Sequence, residues 1–123
     1  MSERITETDW EQSIVDLAHM LGYVVAAFRP ARTEKGWRTP CKYDGEGFVD
    51  LALASEEKKR LLFVEVKSRT GKLTKGGYIN RKGRLDYQMG QEDWLRVLKA
   101  TGAECYVWKV GQITLEEIVR LLE

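Results

Sequence analysis

The chain has 123 residues and a formal net charge of +1, with 43% apolar and 32% charged side chains. These totals fit one compact domain that can bury a core. No apolar run approaches the ~20 residues that a membrane span needs, and the first residues lack the basic and apolar regions of a signal peptide. We therefore expect a cytoplasmic protein with no membrane partner, whose two cysteines, Cys41 and Cys105, are reduced thiols.

The first half of the chain predicts one helix and three strands. Apolar residues recur at helical spacing over Thr8–Leu21, and short apolar runs predict strands. The segment Arg29–Glu46 contains prolines and glycines and is predicted to be a loop. The second and third strands are joined by a polar turn that is too short for a crossover, so we expect them to be antiparallel. The three predicted strands are Tyr23–Phe28, Phe48–Ala54 and Leu61–Ser68.

The second half begins with a glycine-rich segment, Thr70–Gly90, that is also predicted to be a loop. A helix over Gln91–Ala100, a strand over Glu104–Val110 and a helix over Thr114–Leu122 follow. The last helix opens with the capping box Thr114-Leu115-Glu116-Glu117. The order α-β-β-β-α-β-α predicts an α/β fold in which helices flank one layer of mixed sheet. Residues 1–123 are expected to form a single domain.

Acidic residues stand in two of the predicted strands. Asp50 lies in an apolar run although Asp is depleted in strands, and Glu65 and Lys67 are two apart, so they share one face. Mg²⁺ prefers oxygen ligands and often takes only one or two carboxylates. Asp50 and Glu65, with the carbonyl of Val66, therefore form a candidate Mg²⁺ site. Lys67 would orient a water or stabilise developing charge.

The alternative for Glu65-Val66-Lys67 is a structural one, because alternating charges are common on the solvated face of a strand. Leu61 and Phe63 share the face of Glu65 and Lys67. That face is therefore apolar at one end and charged at the other, which favours a buried face that opens into a site.

Basic residues are concentrated in two segments of this nearly neutral chain. Seven lie between Lys67 and Arg84 without an acid, and five more lie between Arg29 and Lys42. Such segments can present one positive face to nucleic acid, or they can be solvated Lys-rich loops. An aromatic side chain among arginines can stack on a base or anchor its loop. The candidate nucleic-acid contacts are Arg69, Lys72, Lys75, Arg81, Lys82 and Arg84, with Trp37 and Arg38 from the first loop.

With Asp50 as its Asp and Glu65-Val66-Lys67 as its (D/E)XK, the chain resembles the PD-(D/E)XK nuclease superfamily. More narrowly, it resembles the VRR-NUC (virus-type replication-repair nuclease) family. The matching segments are Thr6-Glu7, Leu17-Ala18, Leu21-Gly22, Gly47-Phe48-Val49-Asp50-Leu51, Phe63-Val64-Glu65-Val66-Lys67, Gln91-Glu92-Asp93-Trp94-Leu95 and Gly102-Ala103-Glu104-Cys105-Tyr106-Val107.

This resemblance implies a restriction-endonuclease-like α-β-β-β-α-β core, dependence on Mg²⁺ or Mn²⁺, and DNA as substrate. Small stand-alone members, many of them phage-borne, act on branched DNA such as four-way junctions in repair and recombination, usually as homodimers. The family also has a Glu in the first helix and a Gln after Glu-X-Lys, which Glu7 and Gln91 match best. Glu11 is the alternative acid, since residues four apart share a helix face. Each has a structural alternative: Glu7 as a first-turn acid, and Glu11 as the capping-box partner of Thr8.

One departure from the family pattern is the basic, glycine-rich insertion at about 69–90, between Lys67 and Gln91. It is expected to grip DNA or to build a subunit interface. Two other functions are considered: a non-catalytic DNA-binding module, and a nuclease-fold subunit of a larger DNA-processing assembly.

Overall fold

The computed structural model describes residues 5–28, 31–33, 36–38 and 43–123, with the two short middle stretches described as backbone only. These residues contain the helices α1 (Glu7–Met20), α2 (Gln91–Ala100) and α3 (Leu115–Leu122). Among the helices of this described part, none is both long and apolar enough to cross a membrane. The strands are β1 (Val24–Ala27), β2 (Ala31–Thr33), β3 (Gly36–Arg38), β4 (Leu51–Ser55), β5 (Arg60–Lys67), β6 (Gly77–Arg81), β7 (Arg84–Gln88) and β8 (Glu104–Lys109).

A central mixed sheet organises the described part of the chain, with its four strands in the order β1-β4-β5-β8. β4 is antiparallel to both β1 and β5, while β5 and β8 are parallel. The parallel pair is connected through α2, as a parallel connection requires a crossover. The predicted antiparallel pairing of β4 with β5 is confirmed, and so is the prediction of a mixed sheet with helices packed on it.

The alternation of side chains along β5 separates two cores. Leu62, Val64 and Val66 point to one face, where they join the residues of α1 and α3. Phe63 packs on the other face, towards α2. Since side chains two apart in a strand share a face, Glu65 also lies on the α2 side. The larger core is formed by Trp10, Ile14, Ala18, Tyr23, Leu51, Leu53, Leu62, Val64, Val66, Trp108, Val110, Ile118 and Leu122.

The start of α1 differs from the prediction. The N-cap is Thr6, whose hydroxyl accepts a hydrogen bond from Asp9 N at 3.0 Å. The expected start at Thr8 is therefore wrong, and so is the capping box of Thr8 with Glu11, because an earlier hydroxyl already caps the first turn. The bounds of α2 are as predicted, and the capping box between Thr114 and Glu117 at the start of α3 is confirmed.

Asp50 lies just before β4 and not within it, so the predicted strand start at Phe48 is wrong. The backbone still follows the sheet here, because Phe28 N donates to Asp50 O at 2.7 Å. The regular ladder ends because the side chain of Asp50, and not a backbone carbonyl, accepts a hydrogen bond from Val66 N at 2.8 Å. Competition of this kind between an Asp side chain and the backbone explains why Asp is unfavourable inside strands.

Both predicted loops contain β-hairpins. β2 and β3 pair within Arg29–Glu46, and β6 and β7 pair within the insertion. The second hairpin turns at Lys82 and Gly83, whose φ angles of 50° and 79° are those of a type I′ turn. The prediction of a loop at 70–90 is therefore wrong: exposed strands without a buried face show no strong apolar alternation.

Candidate metal centre

Glu65 is the most buried carboxylate of the site, with 1% of its surface exposed. Its Oε1 accepts a hydrogen bond from Gln91 Nε2 at 2.7 Å and lies 3.8 Å from Lys67 Nζ. Its Oε2 is also buried and finds no hydrogen-bond donor among the described residues. A buried carboxylate oxygen without a donor is costly, so this atom calls for a cation or a proton.

The electrostatic surroundings of Glu65 also indicate that it requires a cation or a proton. Burial, and then the neighbouring Asp50 carboxylate, raise the pKa of Glu65 to about 9, while the Lys67 ammonium opposes this rise. Two carboxylates that share a site cannot both carry their charge without compensation. A proton held between Asp50 and Glu65, or a bound cation, would supply that compensation.

These residues fit a divalent cation with oxygen ligands. Asp50 and Glu65 supply carboxylates, and Val66 adds a backbone oxygen: the N–H and C=O of a residue in an antiparallel ladder point to the same edge, and Val66 N–H points at Asp50. Across the described ranges, no group of three or more His, Cys, Asp or Glu side chains has the geometry of a metal site. A centre here would therefore complete its shell with water, as Mg²⁺ commonly does.

The first helix brings one further acid to the site. The charge of Glu7 contributes to the raised pKa of Glu65. Trp10 fixes the first turns of α1 at this end of the sheet, because its Nε1 donates to Trp108 O at 3.0 Å and Trp108 pairs with Val66. Glu7, in the first turn of α1, is therefore close enough to the site to act on Glu65.

Gln91, predicted from the family pattern, does lie at the site, as the first residue of α2. Its partner on the far side is Thr74, which was not among the predicted site residues. Thr74 N donates to Gln91 Oε1 at 3.0 Å, and Gln91 N donates to Thr74 Oγ1 at 3.0 Å. No local pattern could have identified Thr74, because the contact joins two segments that are distant in the chain.

Close approach of three glycines brings these segments together. A Cβ added to Gly47 would lie 2.5 Å from the carbonyl carbon of Gly90, and Gly47 has φ +79°. A Cβ on Gly90 would in turn collide with the backbone of Lys75 and Gly76. We call these three residues, Gly47, Gly76 and Gly90, the glycine contact. It places the segment before Asp50, the start of α2 and the base of the β6–β7 hairpin in direct backbone contact.

A cluster of four aromatic side chains, which we call the aromatic cluster, lies beside the site. Phe48 makes edge-to-face contacts with Phe28, Phe63 and Trp94, at centroid distances of 5.4, 6.0 and 4.9 Å. Trp94 also donates its Nε1 hydrogen to the carbonyl oxygens of Asp44 and Glu46. Because Phe63 is two residues before Glu65 on β5, the aromatic cluster helps to exclude water from the Glu65 carboxylate.

The predicted basic contacts of the insertion are all exposed and are spread along it, with Lys75 at the base of the β6–β7 hairpin against Gly90. Arg69 approaches the turn after β8, where its guanidinium would collide with a Cβ on Gly111. Three others surround the hairpin turn, where Arg84 Nε lies 3.3 Å from Asp86 Oδ1. The side chains of Trp37 and Arg38 lie outside the described residues. The exposed basic residues are Arg69, Lys72, Lys75, Arg81, Lys82 and Arg84.

Comparisons with protein-family models, with curated protein sequences and with solved structures find no match for this chain. The inference of function therefore depends on how Asp50, Glu65, Lys67 and Gln91 are arranged at the ends of β4 and β5 and the start of α2.

Proposed function

We propose that this protein is a Mg²⁺-dependent deoxyribonuclease of the PD-(D/E)XK type, with the restriction-endonuclease-like core that its resemblance to the VRR-NUC family implies. One observation carries the proposal. Glu65 is 1% exposed, and its Oε2 is without a donor among the described residues while the Asp50 carboxylate lies beside it. A purely structural pair of carboxylates would be expected to have its buried oxygens satisfied by donors.

In this proposal Asp50, Glu65 and the carbonyl of Val66 hold the ion, with Glu7 close by; Mn²⁺ can take the place of Mg²⁺. The bound ion would polarise a water and neutralise charge on the scissile phosphate. The hydrogen bond from Gln91 holds Glu65 by Oε1, which leaves Oε2 for the ion. The Asp50 carboxylate is oriented by the amide of Val66.

Lys67 follows Glu65 on the same face of β5, with 12% of its side chain exposed. A partly buried ammonium is a compact cation in surroundings where its charge is only weakly screened. Its role is to donate a hydrogen bond to the attacking water or to a phosphate oxygen. It also offsets part of the negative charge of Glu65, which lies 3.8 Å away.

The substrate we propose is DNA with a branched or otherwise distorted structure, bound by the exposed basic residues of the insertion. The base of the hairpin borders a groove of about 390 Å³ that Gly47, Gly90 and Tyr78 help to line. The groove is therefore next to the glycine contact, and Thr74, which also lines it, is hydrogen-bonded to Gln91. DNA held by the hairpin would lie close to the acidic residues.

The test is cleavage of labelled single-stranded, duplex, flap and four-way-junction DNA in Mg²⁺, Mn²⁺ or EDTA. We expect cleavage with either ion, none in EDTA, and a preference for the branched substrates. Asp50→Asn is the matched control because it changes one charge at constant size. Binding by the wild-type protein without cleavage under any condition would identify a DNA-binding module and refute the nuclease proposal.

A further inference from the structure

Thr74 belongs to the insertion and makes three hydrogen bonds to the first turn of α2. Its amide N donates to Gln91 Oε1 and its hydroxyl accepts from Gln91 N, both at 3.0 Å. Its carbonyl accepts from Glu92 N, also at 3.0 Å. One residue of the insertion thus holds both the backbone and the side chain of Gln91.

The contact with the side chain fixes the direction of the Gln91 amide. A carboxamide has an acceptor end and a donor end, and the two can exchange by rotation. Thr74 N–H requires the oxygen on its side, so the NH₂ group must point at Glu65, where Nε2 lies 2.7 Å from Oε1. The opposite orientation would bring two oxygens together at Glu65 and two donors together at Thr74.

The contact with the backbone supplies a helix cap. The N-cap residue of α2 is Gly90, which has no side chain to accept hydrogen bonds from the first amides of the helix. The Thr74 hydroxyl accepts the hydrogen bond of the first amide, that of Gln91, and so acts as a cap contributed by a distant segment.

We propose that Thr74 is a positioning residue for the metal centre, which it orients through Gln91 and Glu65. The proposal rests on the proposed function, because it assumes that Glu65 binds the ion. The insertion would then serve the site directly and not only the DNA. Residues that orient metal ligands from behind typically contribute about 10- to 100-fold to metal affinity.

The test is Mn²⁺ binding by calorimetry, without DNA. Thr74→Val keeps the shape and the amide that donates to Gln91 Oε1, but it removes the hydroxyl that accepts from Gln91 N. We expect about tenfold weaker binding, because the start of α2, and with it Gln91, is no longer anchored beside Glu65. Thr74→Ser keeps the hydroxyl and should restore affinity to within about twofold of wild type. Thr114→Val is the matched control, since Thr114 caps α3 by the same kind of bond, to Glu117 N at 3.1 Å. It should lose stability without loss of Mn²⁺ affinity.

A second readout needs no metal. In ¹⁵N-labelled protein, the side-chain NH₂ signals of Gln91, assigned with Gln91→Glu, should shift towards free-amide positions in Thr74→Val and stay near wild type in Thr74→Ser. Mn²⁺ affinity and Gln91 signals unchanged in Thr74→Val would overturn the proposal, as would an equal loss of affinity in Thr114→Val. Glu65→Gln tests the proposed function by itself. If this variant binds Mn²⁺ as tightly as the wild type, Glu65 is not a metal ligand, and the proposed function fails whatever the result for Thr74.

Discussion

The Asp50 carboxylate accepts the Val66 amide hydrogen at 2.8 Å, at the point where a neighbouring strand would offer a carbonyl. Asp50, a residue type that is unfavourable within strands, thereby marks the end of the regular ladder between β4 and β5. The same bond places a second carboxylate beside Glu65, because Val66 is the next residue in β5.

Asp50→Asn and Asp50→Ala should separate the structural and the metal-binding parts of this contact. Asn retains an acceptor for Val66 N, so thermal stability should stay near wild type. Ala removes this acceptor, which should lower the free energy of unfolding by about 1 kcal/mol. Both variants should cut DNA at least about a hundredfold more slowly, since the loss of a proposed direct ligand should cost no less than the ~10- to 100-fold typical of residues that orient ligands. Wild-type cleavage by clean Asp50→Asn protein would contradict the assignment of the site.

Stability in EDTA should depend on pH through Glu65. Its pKa is raised to about 9 in the folded protein, from 4.5. Between these values the folded state binds a proton that the unfolded state does not, so the free energy of unfolding falls as pH rises. The stabilisation is complete below pH 4.5 and is lost as pH passes through about 9.

Glu65→Gln provides the comparison, because it cannot titrate. The difference in melting temperature, wild type minus variant, should decrease steadily from about pH 5 to about pH 9 in EDTA. Mg²⁺ should stabilise the wild type more at the upper end of this range, because it binds the deprotonated carboxylate. A difference that does not change with pH would show that Glu65 is charged throughout.

Lys67→Met should lose cleavage but keep its affinity for Mn²⁺. In the proposed site the Lys67 ammonium would face the water and the phosphate, while Glu65 would face the ion. Removal of the cation 3.8 Å from Glu65 also makes that carboxylate easier to protonate, so binding should be compared at several pH values, and the part of any loss that is due to protonation should shrink as pH rises. A loss of Mn²⁺ affinity equal to that of Glu65→Gln would contradict this division of roles.

The tip of the β6–β7 hairpin should contribute to the salt dependence of DNA binding. Arg81→Gln with Lys82→Asn removes two exposed charges, and Asn tolerates the positive φ of the turn. The log–log slope against salt should flatten by up to about 1.8 for duplex arms, since each phosphate contact contributes about 0.9. Lys99→Gln with Arg120→Gln removes two charges elsewhere and should leave the slope unchanged. An unchanged slope with lost dimerisation in the hairpin variant would mean a subunit interface.

Gly47→Ala should damage both stability and the site, while Gly102→Ala should affect stability alone. Both glycines have positive φ, +79° and +85°, so each Ala costs about 1–2 kcal/mol in backbone strain. Only Gly47 has a backbone atom, the Gly90 carbonyl carbon, at 2.5 Å from the added Cβ; at Gly102 the described residues leave open space.

Urea denaturation and Mn²⁺ calorimetry would measure the two effects. Gly47→Ala should be destabilised by at least about 1 kcal/mol more than Gly102→Ala, because the clash displaces the start of α2. It should also bind Mn²⁺ more weakly, because Gln91 moves with that helix. Equal stability and equal affinity in the two variants would show that the glycine contact yields without strain.

The core of the site could be predicted because its signals are local. Glu65 and Lys67 are two residues apart, and the turn between β4 and β5 is too short for anything but an antiparallel pair. The sequence alone therefore predicts Asp50 and Glu65 on adjacent strands. The buried position of Glu65 agrees with Phe63, which packs on the same face, whereas Leu61 on that face is 51% exposed, so the expected apolar end is shorter than predicted.

Other parts could not be predicted because they depend on contacts between distant segments. Thr74 is an ordinary polar residue in a glycine-rich stretch until the fold brings it to α2. The β6–β7 hairpin was missed for another reason: Tyr78 and Leu85 are about 70% and 67% exposed, so the alternation that marks a half-buried strand is absent. Hairpins of this kind are specified mainly by their turn, here Lys82-Gly83.

The glycine contact also has a consequence for evolution and engineering. The hairpin leaves the rest of the fold at Gly76 and returns to it at Gly90, and these two residues touch. Residues 77–86 can therefore vary in length and composition with little effect on the acidic residues. Tyr87 is different, because its hydroxyl donates to Asp93 Oδ2 in α2 at 2.9 Å. If the hairpin binds DNA as proposed, substrate preference could change by exchange of this one module, as long as Thr74, Tyr87 and the three glycines are kept.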